Sequence, residues 1–217
     1  MASTRTTSTS HSVVAVVPVK SFAAAKARLS PVLDPAQRQA LAAAMAARVI
    51  EAAGPALAWV VCDDPTVADF ARSHGAEVCW TPGLGLNGAV AEALDRLSHE
   101  GVDVAVVTHA DVPFAHDLAA LAVPDTVVLV PDRHGKGTNV MAVPTGAGFQ
   151  PAYGPSSFHR HRAEAERLAL PVQVLHDTAL AWDVDVPDDL WPPRSVGSWP
   201  TELPRPQRHP VALLPEG

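Results

Sequence analysis

Short apolar runs recur along this chain, and the stretches between them return to apolar positions every three or four residues. Val13–Val17, Ala58–Cys62, Glu77–Trp80, Val104–Val107, Thr126–Val130, Val140–Val143 and Val172–Leu175 are too short for ordinary helices and rich in β-branched residues, so they read as strands. Val104–Val107 has no polar alternation, which predicts a strand covered on both faces. Between the strands, Leu41, Met45 and Val49 repeat at a four-residue spacing behind Asp34, Pro35 and Gln37. That order predicts a capped helix that ends near Gly54. Asp64 and Pro65 open a shorter helix ending near Gly75, and Asn87 is placed to cap a helix carrying Val90, Ala91, Leu94 and Leu97. A further helix is expected around Leu118 and Leu121, and a polar one from Ser156 or Ser157 to about Leu168. Alternation of this kind predicts an α/β fold: three layers around a mostly parallel, mixed sheet with right-handed crossovers. The strand near Met141 is the candidate for an antiparallel member.

Composition narrows the class. With 217 residues and 47% apolar content, the chain can build one sizeable core. Its formal charge of -7 argues against nonspecific nucleic-acid binding while leaving room for a single nucleotide. The first twelve residues are polar and read as a disordered start without a secretory h-region. No run approaches the roughly 18 apolar residues of a spanning helix, so no membrane role is expected. Cys62 and Cys79 make no disulfide framework, which suits a reduced cytoplasmic compartment. The reading is one domain over 13–190, followed by a proline-rich tail over 191–217. Trp191, Trp199, Val211, Leu213 and Leu214 would anchor that tail in part. Oligomeric state stays open.

The chemistry gathers at predicted strand ends. The first strand runs into Lys20, Lys26 and Arg28, whose charges suit nucleotide phosphates. Asp111 and Asp185 each follow an apolar segment and each precede a proline by two residues, in ADVP and DVDVP. Two carboxylates on different strand ends can hold a hard cation such as Mg²⁺, although Asp-x-Pro also suits plain turns. Asp132 precedes RHGKGTN, a glycine-rich turn that lacks the full P-loop pattern but could offer backbone N–H groups and the Thr138 hydroxyl to an anion. Gly154, Ser156 and Ser157 precede a helix start, another anion-friendly place. His159 and His161 lie two apart and share no helical face, so zinc is not expected of that pair. His161 with Arg160 or Arg162 is instead a candidate for meeting a phosphate or carboxylate. The turn PVKSFAAAK lacks the glycines of a dinucleotide fingerprint, and no Gly-x-Ser-x-Gly elbow is present.

Taken together, PVKSFAAAKARL, GLN at Gly85 to Asn87, ADVP, PDRHGKGTN, YGPSSFHRH and DVDVPDDL closely resemble the CofC/FbiD family, guanylyltransferases of coenzyme F420 biosynthesis. That family lies within the MobA-like, nucleotide-diphospho-sugar transferase-like group. The resemblance covers about Val13 to Leu190. It implies transfer of GMP from GTP to a phosphorylated three-carbon acid. Phosphoenolpyruvate is the first expectation; the alternatives are 2-phospho-L-lactate or 3-phosphoglycerate as acceptor, a nucleotidyltransferase using another NTP, and a noncatalytic nucleotide-binding protein. It further implies Lys20 and Lys26 at the nucleotide phosphates and Asp111 and Asp185 as catalytic Mg²⁺ ligands. Leu86 and Asn87 would lie in the nucleotide pocket, and Thr138, Gly154 and Ser157 at the acceptor. Asp132 is less secure as a metal or acceptor-side residue, and His109 receives no chemical role. A downstream transferase of the F420 pathway is the implied partner.

Overall fold

The computed structural model describes residues 12–54 and 56–206. The expected disordered start lies, apart from Ser12, outside the described residues, as do Val211, Leu213 and Leu214. The strands are β1 (Val13–Pro18), β2 (Leu57–Cys62), β3 (Glu77–Trp80), β4 (Val104–Thr108), β5 (Val127–Pro131), β6 (Thr138–Pro144) and β7 (Val172–Val174). They form one sheet in the order β3-β2-β1-β4-β6-β5-β7. β1 pairs in parallel with both β2 and β4, β2 with β3, and β5 with β7, while β6 is antiparallel to β4 and β5. The antiparallel member is therefore the strand around Met141, and the chain leaves it no choice. The turn from Asp132 to Gly137 is too short for the crossover a parallel neighbour requires, so the chain must fold back.

Helices α1 (Pro35–Glu51), α2 (Pro65–Ser73), α3 (Gly85–His99) and α4 (Ser157–Arg167) cover the sheet. Alternation along the strands assigns the two cores. Ala15, Val17 and Val106 pack with Ala46, Val49 and Val67 of α1 and α2, whereas Val14, Val16 and Val107 pack with Val90, Leu94 and Ala165 of α3 and α4. The α1 start is the one its sequence specifies. The Gln37 N–H donates to Asp34 Oδ1 at 2.8 Å, and the Asp34 N–H donates back to Gln37 Oε1 at 3.0 Å. The tail packs as well: Trp199 and Leu203 are buried with Leu29, Leu41, Met45 and Leu190 in a third cluster.

Two expected elements differ. Leu118–Leu121 is a single 3-10 turn, since Pro124, three residues on, keeps the preceding residue out of the helical region and stops a helix from extending. Asn87 does not cap α3, because the helix already begins at Gly85. The Asn87 side chain instead accepts from the Tyr153 N–H at 2.6 Å and donates to the Tyr153 carbonyl at 3.2 Å. Among the described residues no helix is long and apolar enough to cross a membrane.

Candidate active site

The sheet order reverses around β1: β2 lies on one side of it and β4, reached later in the chain, on the other. At such a switch point the loops leaving neighbouring strands diverge and open a crevice at the carboxyl edge. The loop after β1 carries two short 3-10 turns, Phe22–Ala24 and Ala27–Leu29, and between them Lys26 takes a left-handed backbone conformation with φ +54°. A non-glycine residue there costs about 1–3 kcal/mol and persists only where its surroundings fix it. The surroundings do. Its ammonium donates to Asp111 Oδ2 at 2.5 Å and to Asp185 Oδ1 at 3.4 Å, and its side chain is only 11% exposed. Arg28 approaches Asp185 from the solvent side, at 3.6 Å.

The electrostatics of this group are lopsided. Burial works to lower the Lys26 pKa, but the Asp111 and Asp185 carboxylates outweigh it and raise it. Burial likewise works to raise the Asp111 carboxyl, and the Lys26 charge and hydrogen bond bring it below the usual carboxylate range. Asp183, by contrast, is pushed up, by burial and then by the Asp111 charge, with Arg133 only partly offsetting them. Negative charge around Asp111 thus exceeds what one ammonium neutralises. Asp111 follows the end of β4, but Asp185 is not at a strand end as expected, since β7 stops at Val174 and Asp185 lies in an irregular segment before the 3-10 turn Pro187–Leu190. Together they still offer hard oxygen donors, which fits a Mg²⁺-type cation completed by water and phosphate oxygens. Among the described residues no cluster of three or more ligating side chains is formed, so a cation here would draw on substrate for the rest of its shell.

Two cavities meet at this point. The larger, about 720 Å³, is lined by Lys20, Lys26 and Asp111 together with Val61, Asp63 and Thr81. The smaller, about 350 Å³, is lined by Thr138, Gly154 and Ser157 together with Asp183 and Asp185. Leu86, His109 and Asp111 line both, so these three mark the seam. The structure therefore brings Lys20, Lys26, Leu86, Asp111, Asp185, Thr138, Gly154 and Ser157 to one continuous opening. It does not bring Asn87, which lines neither cavity and has its amide engaged by the Tyr153 main chain.

Two expectations about the smaller cavity are corrected. The glycine-rich turn does not offer its N–H groups to an anion, because Asp132 takes them. Its Oδ1 accepts from His134 and Lys136 at 3.0 and 2.9 Å, and its Oδ2 accepts from Gly137 at 2.8 Å. With both oxygens engaged by the turn, Asp132 is a turn-forming residue. A Cβ on Gly137 would stand 2.7 Å from Asp132 Oδ2. Gly137→Ala is accordingly expected to break that clamp at a cost of about 2 kcal/mol. A lower urea midpoint at constant slope would register it, and an unchanged midpoint would refute it. His161 is the second correction. It is wholly buried and does not reach an anion with Arg160. Its Nε2 accepts from the Ala152 N–H at 2.9 Å, and its Nδ1 lies 3.0 Å from Thr138 Oγ1.

With the geometry in place, the comparisons agree on one assignment. Residues 13–192 match the family model described as "Guanylyl transferase CofC like". The chain belongs to this CofC-like guanylyltransferase family. A curated phosphoenolpyruvate guanylyltransferase of Sphaerobacter thermophilus is 36% identical over 186 residues, covering 82% of this chain and 90% of its own. Another of that name, from Thermomonospora curvata, is 38% identical over 198 residues, covering 85% and 84%. Among solved structures, a provisionally assigned nucleotide-diphospho-sugar transferase of Desulfovibrio desulfuricans G20 superposes with a TM-score of 0.69 at 18% identity, over 83% of this chain and 85% of that one. At that identity the likeness concerns the fold, which is that of the nucleotidyltransferases. The CofC-like match ends two residues past Leu190, where the proline-rich tail begins.

Proposed function

We propose that this protein transfers GMP from GTP to phosphoenolpyruvate, releasing pyrophosphate, as a step of coenzyme F420 biosynthesis. The observation that carries this reading is the seam at Asp111, where a larger cavity lined by Lys20 and Lys26 meets a smaller one lined by the hydroxyl-bearing Thr138 and Ser157. A nucleoside triphosphate laid along the larger cavity would bring its phosphates to Lys20 and Lys26. An acid in the smaller cavity, against Thr138, Gly154 and Ser157, would bring its phosphate to the same seam. An oxygen of the acid's phosphate forms the new bond to the α-phosphorus, and the bond from that phosphorus to the bridging oxygen breaks, so that pyrophosphate leaves with the electron pair. The attacking oxygen is already anionic near neutral pH, so no general base is required. What the site must supply is alignment and cancellation of charge.

Lys26 serves alignment, as a nearly buried ammonium fixed between two carboxylates, and because that group is net negative the cancellation of charge would fall to a divalent cation and Lys20. Asp111 and Asp185 would hold Mg²⁺, which when bound shields the two anions from each other and stabilises the departing pyrophosphate. The preference for phosphoenolpyruvate over 2-phospho-L-lactate or 3-phosphoglycerate rests on the names of the relatives. The product, a mixed phosphoanhydride, is an activated group donor, which suits consumption by a downstream transferase.

The test is pyrophosphate release from the purified protein with Mg²⁺ and each of the four NTPs, crossed with the three acids, with the product identified by mass. Release confined to GTP with phosphoenolpyruvate is the expected result. Release with GTP and another acid would move the acceptor assignment and leave the reaction class standing. No acid-dependent release from folded protein in any combination would refute the reading.

A further inference from the structure

We infer that His161 is a positioning residue of the acceptor cavity: its fixed tautomer makes the Thr138 hydroxyl a hydrogen-bond donor towards the acid. The inference rests on the reading above, that the smaller cavity takes the phosphorylated acid. It begins from the Ala152 N–H, which can only donate. Because that N–H points at His161 Nε2 at 2.9 Å, Nε2 carries a lone pair and the ring hydrogen is on Nδ1. Nδ1 is 3.0 Å from Thr138 Oγ1, so Nδ1–H donates and the hydroxyl oxygen accepts. A ring protonated on both nitrogens would set two N–H groups against each other at Ala152. Burial, then the charges of Arg160 and His109, also hold the imidazole pKa down, to about 4, so the ring is neutral when the enzyme works.

The same polarity continues one residue further. The Thr138 N–H donates to Ser157 Oγ at 3.0 Å, so this hydroxyl oxygen too is used as an acceptor. Neither hydroxyl proton has an acceptor among the described residues, and both residues line the smaller cavity. The outcome is two O–H donors, on Thr138 and Ser157, in the wall of a space that Asp111, Asp132, Asp183 and Asp185 also line. An acid entering it is repelled by those carboxylates and finds its donors at Thr138 and Ser157. His161, behind that wall, contributes by deciding which way the Thr138 proton turns.

Three variants and one spectrum test this. Thr138→Val removes the hydroxyl and keeps the shape. His161→Gln removes the Nδ1–H donor, and His161→Asn places an amide N–H near the lost Nδ1–H. One hydrogen bond to an anionic ligand corresponds to roughly a tenfold change in apparent affinity. Thr138→Val and His161→Gln are each expected to raise the KM for phosphoenolpyruvate about tenfold while leaving the KM for GTP unchanged, and His161→Asn is expected to recover most of the loss. In the Thr138→Val background His161→Gln should add nothing, as a shared pathway requires. The ¹⁵N resonances of the histidines in the parental protein should show one buried ring protonated on Nδ1 only, a readout that needs no variant to fold. A proton on Nε2, or a His161→Gln effect that adds in full to Thr138→Val, overturns the inference. If Thr138→Val raises the KM and His161→Gln does not, the inference fails and the acceptor cavity stands. If Thr138→Val leaves the KM unchanged, the placing of the acid fails and takes the inference with it.

Discussion

Asp111→Asn is expected to lower kcat by about 100-fold or more while the protein remains folded. Asparagine has the shape of aspartate and keeps one carbonyl oxygen for the Lys26 ammonium, which also retains Asp185 at 3.4 Å. Packing at the end of β4 is therefore preserved, and the expected loss of stability is only about 1–2 kcal/mol, for weakening a charge-assisted hydrogen bond. What disappears is the negative charge at the seam of the two cavities. That charge fixes Lys26 in its left-handed conformation and is one of the two carboxylates available to a divalent cation. Both partners of the pair are shifted towards their charged forms, so the interaction holds throughout the neutral range. Steady-state rates at saturating GTP, phosphoenolpyruvate and Mg²⁺, with thermal melts of the same samples, decide the matter. A kcat within a fewfold of the parental value, from protein that melts normally, would remove Asp111 from the catalytic machinery.

The strands and the α1 cap were legible because they are written locally: β-branched runs bounded by turn residues, and Asp-Pro-x-Gln ahead of a four-residue apolar repeat. Strand ends are legible in the same way, so Asp111 could be assigned to the carboxyl edge without the fold. The direct meeting of Lys26 with Asp111 and Asp185 could not, since it spans 85 and 159 positions and depends on β1 lying between β2 and β4. Asn87 does not cap because a good capping residue near a helix start competes with Gly85, whose φ of +63° lets the chain enter α3 three residues before an Asn87 cap would.

Other misses had a signal. Phe158, His161 and Ala165 are spaced three and four apart, which places all of them on the buried face of α4. That spacing alone would have turned His161 inward, away from the anion its arginine neighbours suggested. Asp132 followed by Arg-His-Gly-Lys-Gly is also readable as an aspartate gathering the N–H groups of its own turn. A short polar side chain beside free N–H groups satisfies them before a ligand can. The least legible residue is Asp189, which sits among Asp183, Asp185 and Asp188 with nothing in the local pattern to single it out.

Asp189→Ala is expected to cost about 3 kcal/mol of stability and to reduce activity beyond the loss of folded protein. Asp189 is 3% exposed. One of its oxygens, Oδ2, accepts from the main-chain N–H groups of Asp185 and Val186 at 2.6 and 2.8 Å. The other, Oδ1, accepts from the Arg133 guanidinium, which lies over the Trp182 ring at 4.5 Å and also donates to the Asp183 carbonyl at 2.9 Å. Truncation leaves two N–H groups without their acceptor and a mostly buried guanidinium without its closest anion, each of which is costly in a low-dielectric setting. It also frees the backbone of Asp185, so the carboxylate facing Lys26 loses its fixed position. Asp189→Asn retains one oxygen acceptor but puts an N–H donor opposite either the guanidinium or the two main-chain N–H groups, so it should fall between. Urea unfolding at constant slope measures the first effect. Comparison of kcat per folded molecule in Asp189→Ala with that in Leu97→Ala, a core truncation late in α3 that lines neither cavity and leaves the Asp185 backbone bonds in place, isolates the second. Parental stability in Asp189→Ala, or turnover per folded molecule reduced no more than in Leu97→Ala, would mean that Asp185 is held by other contacts.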